Sequence, residues 1–465
     1  MFKISKDIET TSKKTKLFYS LNGFPDQMTY QAFTFLIFTF YFAVIGLDII
    51  LVWIAFVVWG LWNAFNDPML GALSDRKKYG KLGKRRFFII LALGPLSLMM
   101  ILLFTVPSFI EFFYFLFIIM LFEFTYTLFD VNVKSLFPEM WPNEKERASI
   151  NMLLRSLTIV AILIAMILPT IIISPMAPLT GSASEIAEIK AMYITAGIIL
   201  AIITVITGIL FIAFGIKEQE ELKEQFESRP SFFGSLKLSL KNKTFVKLVL
   251  CNMMTWFVLS MITTIFPLYA IHVLGVGKGS LLIGIMMMLT LVMAALTMPI
   301  HMMLGKRFGM RNAFIISLMI WIISLIPFLF LGANMILFAL IATAFVGFGM
   351  GGTLFFFDIL MGDIIDQDEL IHGVKRSASF YGTNAFIHRF SIILVISAIA
   401  IVFSGTGWAG YTPNPGIDVI FGLRLLMFLF PTIACGIAVL FLLSYELHGE
   451  KLTQMREELQ KKKSQ

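Results

Sequence analysis

Long runs of apolar residues, separated by short polar breaks, dominate the chain from residue 19 to residue 446. A helix that spans a bilayer needs roughly 20 consecutive, largely apolar residues, and twelve runs reach that length. Membrane-spanning strands would alternate polar and apolar residues, which these runs do not do. The pattern predicts an all-α integral membrane protein with twelve transmembrane helices. They are expected near 19–46, 49–74, 86–107, 110–137, 146–175, 187–216, 245–274, 280–304, 311–332, 335–362, 374–404 and 418–446.

The composition excludes a soluble protein. Hydrophobic residues make up 58% of the chain and charged residues 14%, whereas soluble domains average about 25% charged residues. So few polar side chains cannot cover a water-facing surface of this length. The two cysteines, Cys251 and Cys435, lie in separate apolar runs, which does not indicate a disulfide framework or a metal site. No nucleophile is paired with a base, so we expect neither an enzyme nor a cofactor.

The net charge of +8 is explained by the placement of the basic residues. Most of the 37 Lys and Arg residues fall in the tails and in alternate connections, all of which lie on one side of a twelve-span arrangement. Because cytoplasmic loops carry the excess of Lys and Arg, both termini are expected in the cytoplasm. The basic balance therefore reflects topology, and no nucleic-acid partner is expected. The sequence predicts a multi-pass plasma-membrane protein, a monomer in contact with the lipid bilayer.

The chain also repeats at half its length. The segment "NDPMLGALSDRKKYGKLGKRRFFI" after the second run has a shorter counterpart, "TMPIHMMLGKRFGMRNAFI", after the eighth. Many transporters consist of two such related halves, with the binding site between them. We therefore expect an N-terminal six-helix bundle at 1–216, a cytoplasmic linker at 217–244, a C-terminal six-helix bundle at 245–446 and a cytoplasmic tail at 447–465. The glycines of "GFGMGG" (Gly347, Gly349, Gly352) lie inside an apolar run, where they favour close helix packing over nucleotide binding.

Three ionisable residues are predicted at one depth in the membrane. At 1.5 Å per residue, Asp67, Asp130 and Arg155 lie about 12–14 Å from the cytoplasmic boundary, on three different helices. A charge at the bilayer centre costs at least about 2.5–3.5 kcal/mol, so such residues are candidates for function. Their common depth indicates a shared polar site. The alternative for Asp130 is a structural ion pair with Lys134, one turn away, or with Arg155.

The residues near these carboxylates suit a cation. Asn63 precedes Asp67 by four residues and shares its helical face, while Thr127 is three residues before Asp130. Carboxylate, amide and hydroxyl oxygens are the ligands of small hard cations. Two neighbouring carboxylates can equally share a proton, which leaves Na⁺ and H⁺ open as the coupling ion. The predicted cation-binding residues are Asn63, Asn66, Asp67, Thr127 and Asp130.

Three segments, in order along the chain, resemble motifs of the glycoside–pentoside–hexuronide:cation symporter family. They are "WNAFNDPMLGALSDRKKYGKLGKRRFF", "SLFPEMWPNEKERASINMLLR" and "MGDIIDQDELIHGVKRSASFYG". The resemblance implies the major facilitator fold, with two pseudo-symmetric six-helix bundles. It also implies cation-coupled symport of a glycoside or related organic solute by alternating access.

Carried over residue by residue, the family's cation site falls on the five residues given above. Its substrate site falls on Asp26 or Gln27, Asp130, Lys134, Arg155 and Arg389. The typical motif has Asp where Asn63 stands, so an uncoupled uniporter or exporter remains an alternative. Lys134 replaces an aromatic residue that packs on the sugar. With Arg155 and Arg389 it suits an anionic group, and the expected substrates are a glycoside, a glycuronide, a sulfo-sugar or a lysolipid. Sodium-dependent lysophospholipid symport is the second alternative.

Overall fold

The computed structural model describes residues 12–76, 80, 82–141, 144–217, 232–277, 280–373 and 376–464. All regular secondary structure in this part of the chain is helical, which confirms the predicted all-α class. Helices predominate because a backbone in lipid must satisfy its own hydrogen bonds. The helices are α1 (Lys13–Ser20), α2 (Thr29–Thr39), α3 (Ile49–Arg76), α4 (Arg85–Leu102), α5 (Glu111–Met140), α6 (Glu144–Ile172), α7 (Ala183–Leu210), α8 (Phe232–Ser239), α9 (Lys243–His272), α10 (Ser280–Leu296), α11 (Met298–Phe308), α12 (Met310–Leu325), α13 (Pro327–Phe330), α14 (Ile336–His372), α15 (Ser377–His388), α16 (Phe390–Gly405), α17 (Ile417–Leu443) and α18 (Glu450–Ser464).

Not every predicted span is a single long helix. Within the described residues, ten helical stretches are long and apolar enough to cross a membrane, and the bent pair α10–α11 would make eleven. The first predicted span, 19–46, is instead divided into α1, a π-helical turn at Phe24–Met28, α2 and a second π-helical turn at Phe40–Val44. Such turns often occur at functional positions, and the first one contains Asp26.

Other predicted spans also differ from the observed helices. The run at 280–304 bends by 43° between α10 and α11, where Pro299 lacks the backbone N–H of a continuous helix. The run at 335–362 continues to His372 and ends at Gly373, whose φ is +74°. The run at 374–404 is interrupted at Arg389, between α15 and α16. A candidate site residue therefore lies at a helix break.

The helices form two groups, with α2–α7 in the first and α9–α17 in the second. They meet where α3 packs on α16, α6 on α10 and α2 on α9. Several contacts between the groups lie toward the end of the molecule that is opposite the chain termini. There Tyr411 Oη donates to the Pro178 carbonyl at 2.7 Å, and the Ile49 N–H donates to the Ala409 carbonyl at 2.8 Å. These contacts hold the two helix groups together at that end.

The linker and the tail both dock on the second group. In α18, Met455 and Leu459 are buried, and Arg456 forms an ion pair of 2.6 Å with Asp363 of α14. In the linker, α8 packs on α15 near its start. Residues 218–231 of the linker lie outside the described residues.

Glycines of α14 permit close helix packing, as the sequence indicated. A Cβ atom on Gly351 would lie 2.6 Å from the Ala294 carbonyl oxygen of α10, and one on Gly347 would collide with the Thr290 carbonyl oxygen. On the other side of α14, Gly349 faces Trp321 of α12. The small residues thus allow α14 to pack against two neighbours at once.

We expect Gly347→Ala to destabilise the protein, because the new methyl group would overlap the neighbouring carbonyl. Over-packing of this kind costs about 1–3 kcal/mol. Gly362→Ala in the same helix is the matched control, since nothing lies within 4 Å of its Cβ position. Melting of the purified proteins in detergent should show a lower Tm for Gly347→Ala only. Equal Tm values for the two variants would contradict the packing role.

Candidate cation and substrate site

An ion pair joins the two helix groups at the site. Arg389 Nη2 lies 2.5 Å from Asp67 Oδ2, and Arg389 Nη1 donates to the Asn63 carbonyl at 2.8 Å. The same nitrogen also contacts Asn63 Oδ1. Asn63 and Asp67 share a face of α3, as their spacing predicted. The sequence assigned Arg389 to the substrate, whereas the structure brings it against two of the expected cation ligands.

Thr127 links Asp67 to a carboxylate that the predicted set lacks. Thr127 Oγ1 donates to Asp67 Oδ1 at 3.0 Å and lies 3.4 Å from Glu123 Oε1. Glu123 is completely buried, and its Oε2 accepts a hydrogen bond of 3.2 Å from Trp59 Nε1. The spacing of four residues between Glu123 and Thr127 was the available sequence signal, since it puts both on one face of α5. Glu123 thus brings a second acidic group near Asp67, whereas Asn63 carries no charge.

Asn66 contributes a free acceptor to the same region. Its Nδ2 donates to the Glu123 carbonyl at 3.1 Å, and its Oδ1 is buried without a hydrogen-bond partner among the described residues. Leaving a buried acceptor unpaired costs about 1–3 kcal/mol, so a ligand at this atom would recover stability. We call Asn66, Asp67, Glu123 and Thr127 the cation cluster. Its carboxylate, amide and hydroxyl oxygens suit a small hard cation.

No group of three or more His, Cys, Asp or Glu side chains in the described residues is arranged to hold a metal ion. The cation cluster therefore differs from an all-carboxylate or histidine site. Its two acidic groups are supplemented by one amide and one hydroxyl, and Arg389 neutralises Asp67. The arrangement allows a guanidinium and an inorganic cation to compete for the same carboxylate.

Asp130 lies one turn further along α5 and pairs with Lys134. Lys134 Nζ is 2.7 Å from Asp130 Oδ2, while Asp130 Oδ1 is buried without a partner in the described part of the chain. The Lys134 side chain is 69% exposed and that of Asp130 only 5%. Lys134 shares the helical face of Glu123 and Thr127, and its side chain is exposed on that face. The structure thus pairs Asp130 with Lys134, one of the two alternatives for this residue.

Asp26 is linked to α5 through a tyrosine. Its Oδ1 accepts a hydrogen bond of 2.8 Å from Tyr126 Oη, and Tyr126 stacks on Tyr30 with ring centroids 4.7 Å apart. Asp26 is close enough to Asp130 and Lys134 for their charges to interact. Gln27 is half-buried and makes no side-chain hydrogen bond to other described residues. Of the two predicted first-helix positions, Asp26 is the one connected to the site.

Arg155 lies apart from these residues. Its side chain is exposed on α6 and has no ion-pair or hydrogen-bond partner among the described residues. The neighbouring Met152 is 76% exposed and Ile159 is 44% exposed. The common depth predicted for Asp130 and Arg155 therefore does not bring them into contact. Arg155 remains available to a ligand that reaches α6.

Comparison with known proteins places the chain among transporters. A family model described as MFS/sugar transport protein matches residues 18–449. The chain is 25% identical over 481 residues to "Sodium-dependent lysophosphatidylcholine symporter 1" of Mus musculus, covering 96% of this chain and 88% of the relative. It is also 25% identical over 475 residues to a "Putative sulfoquinovose importer" of Salmonella typhimurium, covering 97% and 93%.

Solved structures agree on the fold. The crystal structure of the nucleoside transporter NupG superimposes with a TM-score of 0.66 at 14% identity, covering 93% of this chain and 100% of NupG. At that identity the likeness concerns the fold alone. It extends over nearly the whole chain, including both helix groups.

Proposed function

The chain belongs to the MFS/sugar transport protein family and is a secondary transporter, and from this premise we propose that it couples a cation, Na⁺ or H⁺, to the movement of a small anionic organic solute. The mode is symport by alternating access between the helix groups, which correspond to halves at 1–216 and 245–446. The protein lies in the plasma membrane with both termini in the cytoplasm. The relative from Mus musculus is named as sodium-dependent, which favours Na⁺.

The ion pair between Asp67 and Arg389 carries the proposal. The cation cluster belongs to the first half, but the charge that neutralises it comes from the second half at 2.5 Å. In this mechanism a cation that binds Asp67 displaces Arg389, and the loss of this contact between the halves favours a change in their relative position. Each cation binding event is then linked to a conformational change, and linkage of this kind is reciprocal.

The substrate side favours an anionic solute. Lys134 is exposed beside the cation cluster, and Arg155 is exposed on α6 without a partner among the described residues. Charge-assisted hydrogen bonds from such groups recognise sulfonate, phosphate and carboxylate. The sulfoquinovose importer among the relatives is named for a sugar with a sulfonate group. We take an acidic sugar as the substrate class.

A lysophospholipid is the second candidate substrate. Arg155 is flanked by the exposed apolar residues Met152 and Ile159. A cation beside apolar surface would suit a phosphate head group with an acyl chain. Uncoupled uniport or export is less favoured, because Glu123 brings a second carboxylate to the cation cluster and so replaces the charge that is missing at Asn63.

Cation-driven uptake into proteoliposomes tests the proposed function. We expect Asp67→Cys and Asp130→Cys to lose Na⁺- or H⁺-driven accumulation of sulfoquinovose or a glucuronide, since each removes a carboxylate of the site. Asp418→Cys, at an exposed residue near the start of α17, is the matched control and should accumulate like the native protein. Full cation-driven accumulation by both site variants would overturn the proposed site.

A further inference from the structure

Two aromatic rings of the second half stack on each other within electrostatic range of Lys134. The Trp256 indole of α9 and the His388 imidazole at the end of α15 are stacked, with centroids 5.0 Å apart and planes at 26°. Trp256 is 37% exposed, whereas the next residues along α9, Phe257 and Val258, are buried. His388 is close enough to Lys134 for electrostatic interaction. The partly exposed stack therefore lies within electrostatic range of Lys134.

A buried asparagine pair supports the stack one helical turn away. Asn252 Nδ2 donates to Asn384 Oδ1 at 2.9 Å, and both residues lie four positions before the two rings. The Asn384 backbone carbonyl is 3.1 Å from His388 Nδ1. Because a carbonyl oxygen only accepts, Nδ1 must carry the proton in this hydrogen bond. Neutral His388 then presents Nε2 as an acceptor, and this atom has no hydrogen-bond partner among the described residues.

We propose that Trp256 and His388 form a ring wall that selects a pyranose ring carrying an acidic group. The exposed indole packs on the C–H face of the ring, and His388 Nε2 accepts a hydrogen bond from a ring hydroxyl. Lys134, on α5 of the first half, binds the acidic group. An acyclic anion would use Lys134 but gain little from the ring wall. The inference rests on the proposed function and adds the residues that determine its specificity.

Binding of two sulfonates by the purified native protein and its variants tests the ring wall. Sulfoquinovose has a pyranose ring, and 2,3-dihydroxypropane-1-sulfonate has none. In calorimetric titrations we expect Trp256→Ala to raise the Kd of sulfoquinovose by about tenfold, the scale of one aromatic contact. The Kd of the acyclic sulfonate should stay unchanged. Trp256→Phe, which retains an aromatic face, should lose less affinity than Trp256→Ala.

Two substitutions at His388 distinguish the role of Nδ1 from that of Nε2. His388→Asn can still donate to the Asn384 carbonyl but lacks an acceptor at the Nε2 position. His388→Gln can place its carbonyl oxygen near that position. We expect the asparagine variant to lose sulfoquinovose affinity and the glutamine variant to recover part of it. The two His388 variants test the ring wall independently if Trp256→Ala fails to fold.

The outcomes distinguish the ring wall from the proposed function. Unchanged preference for sulfoquinovose over the acyclic sulfonate in all folded variants overturns the ring wall alone, as does equal weakening of both ligands. Selective weakening supports the ring wall, even where uptake shows no cation coupling and the symport mechanism fails. If the native protein binds neither sulfonate, the proposed substrate class and the ring wall are both wrong.

Discussion

Arg389→Gln is expected to bind Na⁺ more tightly than the native protein while losing Na⁺-driven accumulation. In the native structure the guanidinium lies 2.5 Å from Asp67 Oδ2 and also contacts Asn63. Removing one partner of such a pair leaves a carboxylate whose charge is uncompensated. A sodium ion would neutralise it without first displacing a tethered competitor. We expect the Na⁺ concentration that gives half-maximal thermal stabilisation to fall by about tenfold, equivalent to about 1.4 kcal/mol.

Na⁺-driven accumulation by Arg389→Gln should fail even though the cation binds more tightly, because a contact between the halves is lost. Among the described residues of the second half, only Arg389 bonds to a member of the cation cluster. Without it, cation binding at Asp67 no longer breaks a contact between the halves. Na⁺-dependent thermal stabilisation measures the affinity, because a ligand that binds only the folded state raises Tm. Proteoliposome uptake measures the coupling.

Two matched variants accompany Arg389→Gln. Arg389→Lys keeps the positive charge and should retain part of the coupling, although it loses the forked geometry of the guanidinium. Arg424→Gln removes another membrane arginine of the second half, which donates to the Leu331 carbonyl at 2.9 Å, away from the site. It should leave Na⁺ affinity and accumulation unchanged. Native affinity and native accumulation in Arg389→Gln would refute the competition between guanidinium and cation.

Helical periodicity explains which parts of the site could be predicted from the sequence. Apolar runs located the spans, and spacings of four residues put Asn63 with Asp67 on one face of a helix. Thr127 was placed in the predicted cation site with Asp67 because it lies three residues before Asp130, and α3 and α5 are neighbouring helices. Glu123 lies four residues before Thr127 on the same face of α5, but the resemblance to the family did not mark it. Local spacing therefore carries much of the first-half geometry.

Features that depend on how helices meet could not be predicted in the same way. Arg389 contacts Asn63 across 326 positions of sequence, and no periodicity encodes that distance. Arg155 illustrates the limit of depth estimates, because a position along the helix axis does not fix the direction in which the side chain points. The π-helical turn at Phe24–Met28 leaves the apolar pattern unchanged, so hydropathy predicted one continuous first span. These features arise from tertiary packing.

Glu123→Gln is expected to raise the Na⁺ concentration for half-maximal uptake by about tenfold or more, since it removes one of two charges from the cation cluster. The glutamine carbonyl can still accept the hydrogen bond from Trp59 Nε1, so the fold of α3 against α5 should be retained. Na⁺-dependent uptake and thermal stabilisation measure the change. Native Na⁺ dependence in Glu123→Gln would exclude Glu123 from the cation cluster.

A double variant then separates the number of charges from their position. Asn63→Asp combined with Glu123→Gln returns a carboxylate to α3, one turn before Asp67 and within reach of Arg389. We expect this variant to recover Na⁺-driven accumulation, because the cluster again holds two acidic groups that a small cation can bind. Failure of the double variant, with Glu123→Gln impaired, would mean that the buried position beside Trp59 matters and not the charge alone. Recovery would show that Glu123 takes the role of the acid that is absent at Asn63.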